Sequence, residues 1–246
     1  MKATGMYFAL TAVAAVCSSA ALADVKAVEK VTIDSPQLNA AMESLPPQQR
    51  EKMRAMGVGT NMQITLYASG NRQRTDVGAM SIYLDMNNQK MVQINRTNKT
   101  ITSMPYSPEI VKQQMTGTTT HITPTGKTMV ILGHVARLSK MTSVNTAQGV
   151  TTVGEIWSAA DVPALKSNPF AAQMGGMSMA EIAKIKGFPM KFKLTTTGGY
   201  TGKMTISGVV TSLSTTPLPS RTFAIPTGYR VGGPAFPMGG GMGAVR

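Results

Sequence analysis

Alternation of apolar and polar residues is the feature that most constrains the fold of this chain. Apolar side chains occupy every second position over residues 62–66 and again over residues 80–84. Successive side chains of a strand point to opposite faces, so this period of two predicts strands with one buried face. The sequence also contains 30 threonines, a β-branched residue that favours strands. We therefore predict a meander of antiparallel strands over residues 62–104.

Turn and capping residues divide the rest of the chain. Helices are predicted after Ser35 and after Pro46, over residues 107–115 and, with interruptions, over residues 162–186. Further strands are predicted over residues 25–33, 118–123, 128–144, 150–157, 188–197, 204–214 and 222–225. Residues 124–127, with the sequence PTGK, are predicted to form the turn of a hairpin. The expected fold class is α+β and mainly β, with one antiparallel sheet and helices against one of its faces.

The N-terminus predicts export. Lys2 precedes a short apolar run, and small residues lead to Ala23, which is typical of a secretory signal over residues 1–23 that is cleaved after Ala23. The run is too short for a membrane-spanning helix, so the mature chain is expected to have no transmembrane segment and to be periplasmic or secreted. Cleavage would remove the only cysteine, Cys17, and would lower the formal charge from +13 to +12. We expect a single domain over residues 24–230 and a flexible tail rich in glycine and methionine over residues 231–246.

No group of residues in the sequence indicates catalysis. Only His121 and His134 offer an imidazole, and neither has the spacing of a recognised metal site. Lys127 and Thr128 resemble the end of a phosphate-binding loop, but His121 stands where that loop needs its first glycine. We therefore expect no enzyme activity and no cofactor. The basic chain has few aromatic residues and no nucleic-acid-binding module, so an anionic envelope surface is a better partner than nucleic acid.

Methionine is unusually common, with 20 residues. Met174, Met177 and Met179 are spaced so that their thioethers could bind Cu(I), which is the less favoured alternative. Methionine is also an adaptable residue that lines apolar cavities, and most of the others are spread along the predicted strands and helices. The lining interpretation is preferred, so no metal is expected.

Several segments, in order and spacing, resemble a family of small exported bacterial proteins of unknown function that is related in fold to the lipoprotein carriers LolA and LolB. They are GNRQRTD at residues 70–76, MVILGH at 129–134, EIW at 155–157, KGFPM at 186–190 and FAIPTGY at 223–229. The resemblance implies an open, strongly curved antiparallel sheet, similar to half a barrel, whose concave face is apolar and covered by helices.

Together these observations predict a non-enzymatic envelope protein that binds a hydrophobic or lipid-like ligand, or a lipidated protein, between sheet and helices. The cavity is expected to be lined by apolar residues from the predicted helices and strands, namely Met53, Met56, Met62, Ile64, Met80, Ile82, Trp157 and Phe170. A structural protein that docks on the anionic envelope surface, with no ligand cavity, is the alternative from a different class.

Overall fold

The computed structural model describes residues 24–55, 59–106, 117–163, 185–198 and 202–232. Its strands are β1 (Val25–Asp34), β2 (Asn61–Ser69), β3 (Arg72–Val77), β4 (Met80–Asp85), β5 (Lys90–Asn95), β6 (Thr100–Pro105), β7 (Thr118–Ile131), β8 (His134–Asn145), β9 (Val150–Ala159), β10 (Phe188–Gly198), β11 (Met204–Ser214) and β12 (Arg230–Val231). Two α-helices, α1 (Pro36–Ser44) and α2 (Pro47–Ala55), and a 3₁₀ helix (Ser220–Phe223) complete the described elements.

All of these strands belong to one sheet, in the order β12-β6-β5-β4-β3-β2-β1-β11-β10-β9-β8-β7. Neighbours are antiparallel, except that β12 runs parallel to β6. The central strand β1 pairs with β2 on one side and β11 on the other, and so joins an N-terminal meander to a C-terminal one. The sheet is curved and does not close on itself. The predicted fold class, mainly β with one curved antiparallel sheet, is confirmed.

The helix after Ser35 forms as its capping sequence predicts. Ser35 is extended, and its Oγ accepts a hydrogen bond from the Leu38 amide at 3.3 Å. Met42 is the one buried residue of α1, and α2 has none. No helix in the described ranges is long and apolar enough to span a membrane. The helix predicted over 107–115 lies outside the described residues, as does most of the one predicted over 162–186.

The hairpin predicted around PTGK is wrong. Strand β7 continues through residues 124–127 as an irregularity in its pairing with β8, between Pro124 and Thr128. The true turn lies at Leu132 and Gly133, whose φ angles of 51° and 82° place both residues in the left-handed region. Two successive positive φ angles suit a two-residue hairpin turn, whose twist matches that of the strands. The turn-forming residues of PTGK are accommodated as a bulge instead.

The strand predicted over residues 222–225 is also wrong. The chain forms a 3₁₀ helix at Ser220–Phe223, and no strand includes residues 222–225. The next pairing is that of β12 with β6, which includes Val231, a residue predicted to begin the tail. Residues 233–246 lie outside the described ranges. The reason for the difference is local: Pro219 and Pro226 flank this segment, and neither has an amide hydrogen for a sheet ladder.

Strand β1 defines the two faces of the sheet. Val25, Ala27 and Val31 are buried, whereas Lys26 and Lys30 between them are exposed. We call the side with Val25, Ala27 and Val31 the inner face, and the opposite side the outer face. Cross-strand pairing extends this division through β1–β6, β10 and β11, because directly paired residues point to the same side.

Candidate ligand-binding face

Aliphatic side chains cover the centre of the inner face. One cluster, here called the upper cluster, joins residues of six strands and the segment after β9: Val25, Ala27, Leu66, Ala136, Ala159, Val162, Phe188, Met190 and Val210. A second, the lower cluster, joins Val31, Ile64, Val77 and Ile206 with the half-buried Ile33, Met62, Phe192 and Met204. Their members are paired across β2, β1, β11 and β10, so the two clusters together form an apolar surface that crosses these four strands.

Four of the predicted cavity residues share this face. Met62 and Ile64 belong to the lower cluster, where Met62 pairs with Val31. Met80 pairs with Val77, which places Met80 on the same side, and Ile82 follows two residues later. Met80 is buried and Ile82 is half-buried. The two-residue period therefore brings together the strand residues that the sequence singled out.

Trp157 lies elsewhere on the curved sheet. It packs against the upper cluster, whereas its neighbour Ile156 is buried in a separate group with Met141 and Leu194. Consecutive residues of β9 thus contact different groups, at the level where β10 has a bulge between Pro189 and Lys191. Opposite sides for Ile156 and Trp157 are what strand alternation requires. The bulge increases the local twist, which accounts for the contact of Trp157 with a cluster that also contains Val25 and Ala27 of β1.

The other predicted lining residues are not brought together. Met53 is half-buried on α2, a helix that buries none of its residues. Met56 and Phe170 lie outside the described residues, and so do the proposed copper ligands Met174, Met177 and Met179. The described ranges contain no group of three or more histidine, cysteine, aspartate or glutamate residues arranged to hold a metal ion.

One acidic side chain, Glu29, interrupts the apolar inner face. It pairs with Ile64 on one side and Val210 on the other, and burial raises the pKa of its carboxyl from the ordinary 4.5 to about 7. A Cβ on Gly208 would overlap both the Glu29 carboxyl and the Phe192 ring, so this glycine makes room for them. Near neutral pH the carboxyl is therefore present in both forms, and the protonated form can donate a hydrogen bond.

The inner face becomes polar toward β6. Its buried residues on β3, β5 and β6 include Gln73, Thr75, Gln93, Asn95 and Thr102. They lie among apolar residues of the same face, such as Leu84 and Met91, which pair with each other. The apolar surface is thus bounded on this side by amides and hydroxyls, the kind of polar groups that orient a ligand in an otherwise apolar site.

A charged network lies on the outer face of β3 and β4, and its residues Arg74 and Asp76 belong to the GNRQRTD segment that carries the family resemblance. Arg74 donates from Nε and Nη2 to the two carboxylate oxygens of Asp76, at 2.9 and 2.8 Å, and from Nη1 to the Thr222 carbonyl at 2.9 Å. Ser81 donates to Asp76 at 2.6 Å, and Arg96 in turn contacts Ser81. The bond to Asp76 and the Coulomb attraction hold the pKa of Arg74 above its usual value, against the opposing effect of burial. In the sequence, the Arg-x-Arg-x-Asp spacing is the one signal that could have indicated this cluster.

This network fixes the segment after β11, here called the strap (residues 215–232), to the outer face. The guanidinium of Arg72 lies 4.9 Å from the centre of the Phe223 ring. Further along, Tyr229 packs against the cluster of Tyr83, Val92 and Ile94. The strap then pairs with β6 through β12. The chain thus covers the outer face of β3–β6 with its own residues.

The β7–β8 hairpin has an apolar tip. Val130 pairs with Val135, and with Leu132 in the turn they are 68%, 53% and 47% exposed. Strand β9 ends opposite Ala136, so the tip extends beyond its neighbouring strand. Exposed Lys127 and Arg137 lie behind it. An exposed apolar group of this kind on a protein surface typically marks a contact surface.

His134 at this tip is paired with an acid but not with a nucleophile. Its Nδ1 lies 2.7 Å from Oδ2 of Asp161, and this hydrogen bond holds the pKa of the Asp161 carboxyl below its usual value. No hydroxyl of the described residues is hydrogen-bonded to His134. The pair therefore has two members of a hydrolytic triad without the third in the part of the chain that is described.

Comparisons with known proteins place these features in context. The sequence profile of a family described as "Domain of unknown function (DUF4412)" matches residues 39–229. Curated proteins give no match. Among solved structures, the chain is similar to the crystal structure of a LolA superfamily protein, NE2245 from Nitrosomonas europaea, with 7% sequence identity and a TM-score of 0.32, over 83% of this chain and 91% of that one.

Proposed function

The chain belongs to the DUF4412 family, a domain of unknown function, and we propose that it is a non-enzymatic envelope protein that binds a hydrophobic or lipid-like ligand, or a lipidated protein, on its inner face. The observation that carries this proposal is the apolar surface formed by the two clusters across β2, β1, β11 and β10, which only Glu29 interrupts among the residues of β1. The signal predicted over residues 1–23 supports a periplasmic or secreted location. The proposed lining comprises Met62, Ile64, Met80, Ile82 and Trp157, with Met53, Met56 and Phe170 as further candidates.

The chemistry of this face suits an alkyl chain. Each methylene that leaves water for an apolar surface contributes about 0.8 kcal/mol, so a long acyl chain gains enough to offset the cost of being ordered. Methionines such as Met62 and Met204 adapt their shape to a flexible ligand. At the polar border, the amides of Gln73 and Gln93 would form hydrogen bonds with the headgroup of the ligand. None of these contacts requires the ligand to be branched or aromatic.

Native mass spectrometry tests the proposal. Protein purified from its own envelope without refolding should carry an extra mass, and extraction should release a lipid. The variant Leu213→Lys places a charge at a half-buried position that packs against the upper cluster, whereas Ser212→Lys adds the same charge to the exposed neighbour. We expect the first to lose the bound mass and the second to keep it. Absence of lipid together with no uptake of a fluorescent fatty acid would overturn the proposal.

A second candidate function is docking on an anionic membrane surface without a ligand. The exposed Val130, Leu132 and Val135, with Lys127 and Arg137 behind them, favour it, because apolar side chains enter the interface while cations meet anionic headgroups. Vesicles containing phosphatidylglycerol should bind the protein in low salt and release it in high salt. Val135→Ser should weaken binding, and Val153→Ser, at another exposed valine, should not. Vesicle binding that is unchanged by salt and by both substitutions would exclude this function.

A further inference from the structure

A mainly polar pocket of about 440 Å³ lies beside the lower cluster, whose residues Met62 and Val77 also line it. Its polar lining comes from the end of α2, the start of β2, the end of β3 and the residue after β5: Arg54, Asn61, Gln63, Thr65, Asp76 and Arg96. The Ala79 amide donates to the Ala55 carbonyl at 2.9 Å, which fixes the end of α2 against the turn between β3 and β4. This contact places Arg54 at the same opening as Arg96.

The pocket has an excess of positive charge. Asp76 is already bound by Arg74 through both carboxylate oxygens, and Arg96 stands farther off, with Nη1 at 3.6 Å from Oδ1. Arg54 has no acidic partner among the described residues. Because Arg74 neutralises Asp76, the two lining arginines, Arg54 and Arg96, leave a formal charge of about +2 at the opening. Guanidinium groups present parallel donors that match the oxygens of an anion.

Neutral donors complete the site. The side chains of Gln63 and Thr65 line the pocket and form no hydrogen bond within the described part of the chain. Arg96 is held in place because its Nη2 donates to the Gly78 carbonyl at 2.5 Å and its amide donates to the Ala79 carbonyl at 2.9 Å. One fixed guanidinium, one free guanidinium and unused neutral donors can together bind an anion, because the one carboxylate in the lining, Asp76, is neutralised by Arg74.

We propose that this pocket binds a phosphate group carried on a small organic body. A phosphate monoester carries a charge of about −1.5 to −2 at neutral pH, which balances the arginine excess. The volume falls in the range of about 300–1,000 Å³ that is usual for organic ligands, and so leaves space beside the phosphate. The body bearing the phosphate is either a free metabolite or the headgroup of a lipid. The site does not depend on the proposed inner-face ligand.

Isothermal titration of the mature protein tests the site with three probes: inorganic phosphate, glycerol 3-phosphate and vesicles containing phosphatidic acid, a lipid whose headgroup is a phosphate monoester. We expect glycerol 3-phosphate to bind at one site per chain and more tightly than inorganic phosphate. If only the vesicles bind in an Arg54-dependent manner, the phosphate belongs to a lipid. Failure of every probe overturns the proposal while leaving inner-face lipid binding untouched.

The variant Arg54→Gln, at an exposed position, should weaken binding about tenfold, which corresponds to about 1.4 kcal/mol. Lys52→Gln removes the same charge from the same helix without touching the pocket and is the matched control. Gln63→Leu, also exposed, should weaken binding without changing charge. Equal losses in Arg54→Gln and Lys52→Gln would show that general attraction to a basic protein, and not the pocket, is responsible.

Discussion

The inner and outer faces of this sheet are stabilised by different interactions. The outer face of β3–β6 is covered by the strap, which is held by directional contacts such as the bond from Arg74 to the Thr222 carbonyl. The inner face of β1, β2, β10 and β11 is held by aliphatic packing, with Glu29 as an ionisable exception. Directional contacts specify one partner, whereas aliphatic packing accepts any apolar surface of suitable shape. A face of the second kind is suited to a variable ligand.

The largest effect is expected for truncation of the inner face. Leu194→Ala removes a buried side chain that packs with Met141 and Ile156, and should lower the free energy of unfolding by about 3 kcal/mol. Lys193→Ala, at the exposed neighbour, should change it by less than about 0.5 kcal/mol. Urea unfolding followed by circular dichroism measures both. Equal effects would mean that the two faces do not differ as described.

On the outer face, Arg74→Met removes three hydrogen bonds and leaves Asp76 with Ser81 and Arg96. We expect a loss of about 2 kcal/mol, below the full cost of stranding a charge because Arg96 still offsets part of it. The control Arg72→Met loses the contact with Phe223 and a Coulomb attraction to Asp85, so about 0.5 kcal/mol is expected. Unfolding in urea gives both values, and a larger loss for Arg72→Met would contradict the role given to Arg74.

Glu29 makes the inner face sensitive to pH. Its folded pKa is raised, so the folded state binds the proton more tightly. The contribution of Glu29 to stability is therefore fully present below pH 4.5 and is lost as the pH rises through about 7. Glu29→Gln mimics the protonated form. We expect the variant to match the parent near pH 4 and to exceed it by about 2 kcal/mol at pH 8, after allowance for partial exposure. Thermal unfolding curves over this pH range measure the difference in stability between the variant and the parent. A difference that is the same at every pH would refute the raised pKa of Glu29.

The smallest effect is local. Phe223→Ala should loosen the strap while global stability falls by only about 1 kcal/mol, because the side chain is half-buried. Hydrogen exchange should then speed up at the Arg230 and Gly232 amides, which donate to carbonyls of Lys99 and Ile101. Ile225→Ala, at an exposed strap residue, is the control. Unchanged exchange at both amides would show that Phe223 does not hold the strap.

The sequence predicted the meander and the inner-face position of Met62, Ile64, Met80 and Ile82 because a strict period of two depends only on neighbouring residues. It failed at PTGK, where a good turn sequence became a bulge, and at Leu132, whose positive φ no propensity would favour. It also gave no account of Arg74 and Asp76, since their network depends on the strap returning from 148 positions further along the chain. A contact between residues so far apart in the sequence cannot be predicted from a local pattern.

Trp157, the single tryptophan of the chain, reports directly on the central claim, because it packs against the upper cluster. A brominated fatty acid that binds the inner face should quench its fluorescence with saturation at one ligand per chain. Leu213→Lys should abolish this quenching, and Ser212→Lys should leave it intact. Quenching that is absent in the parent protein, or that persists equally in both variants, would contradict ligand binding on the inner face.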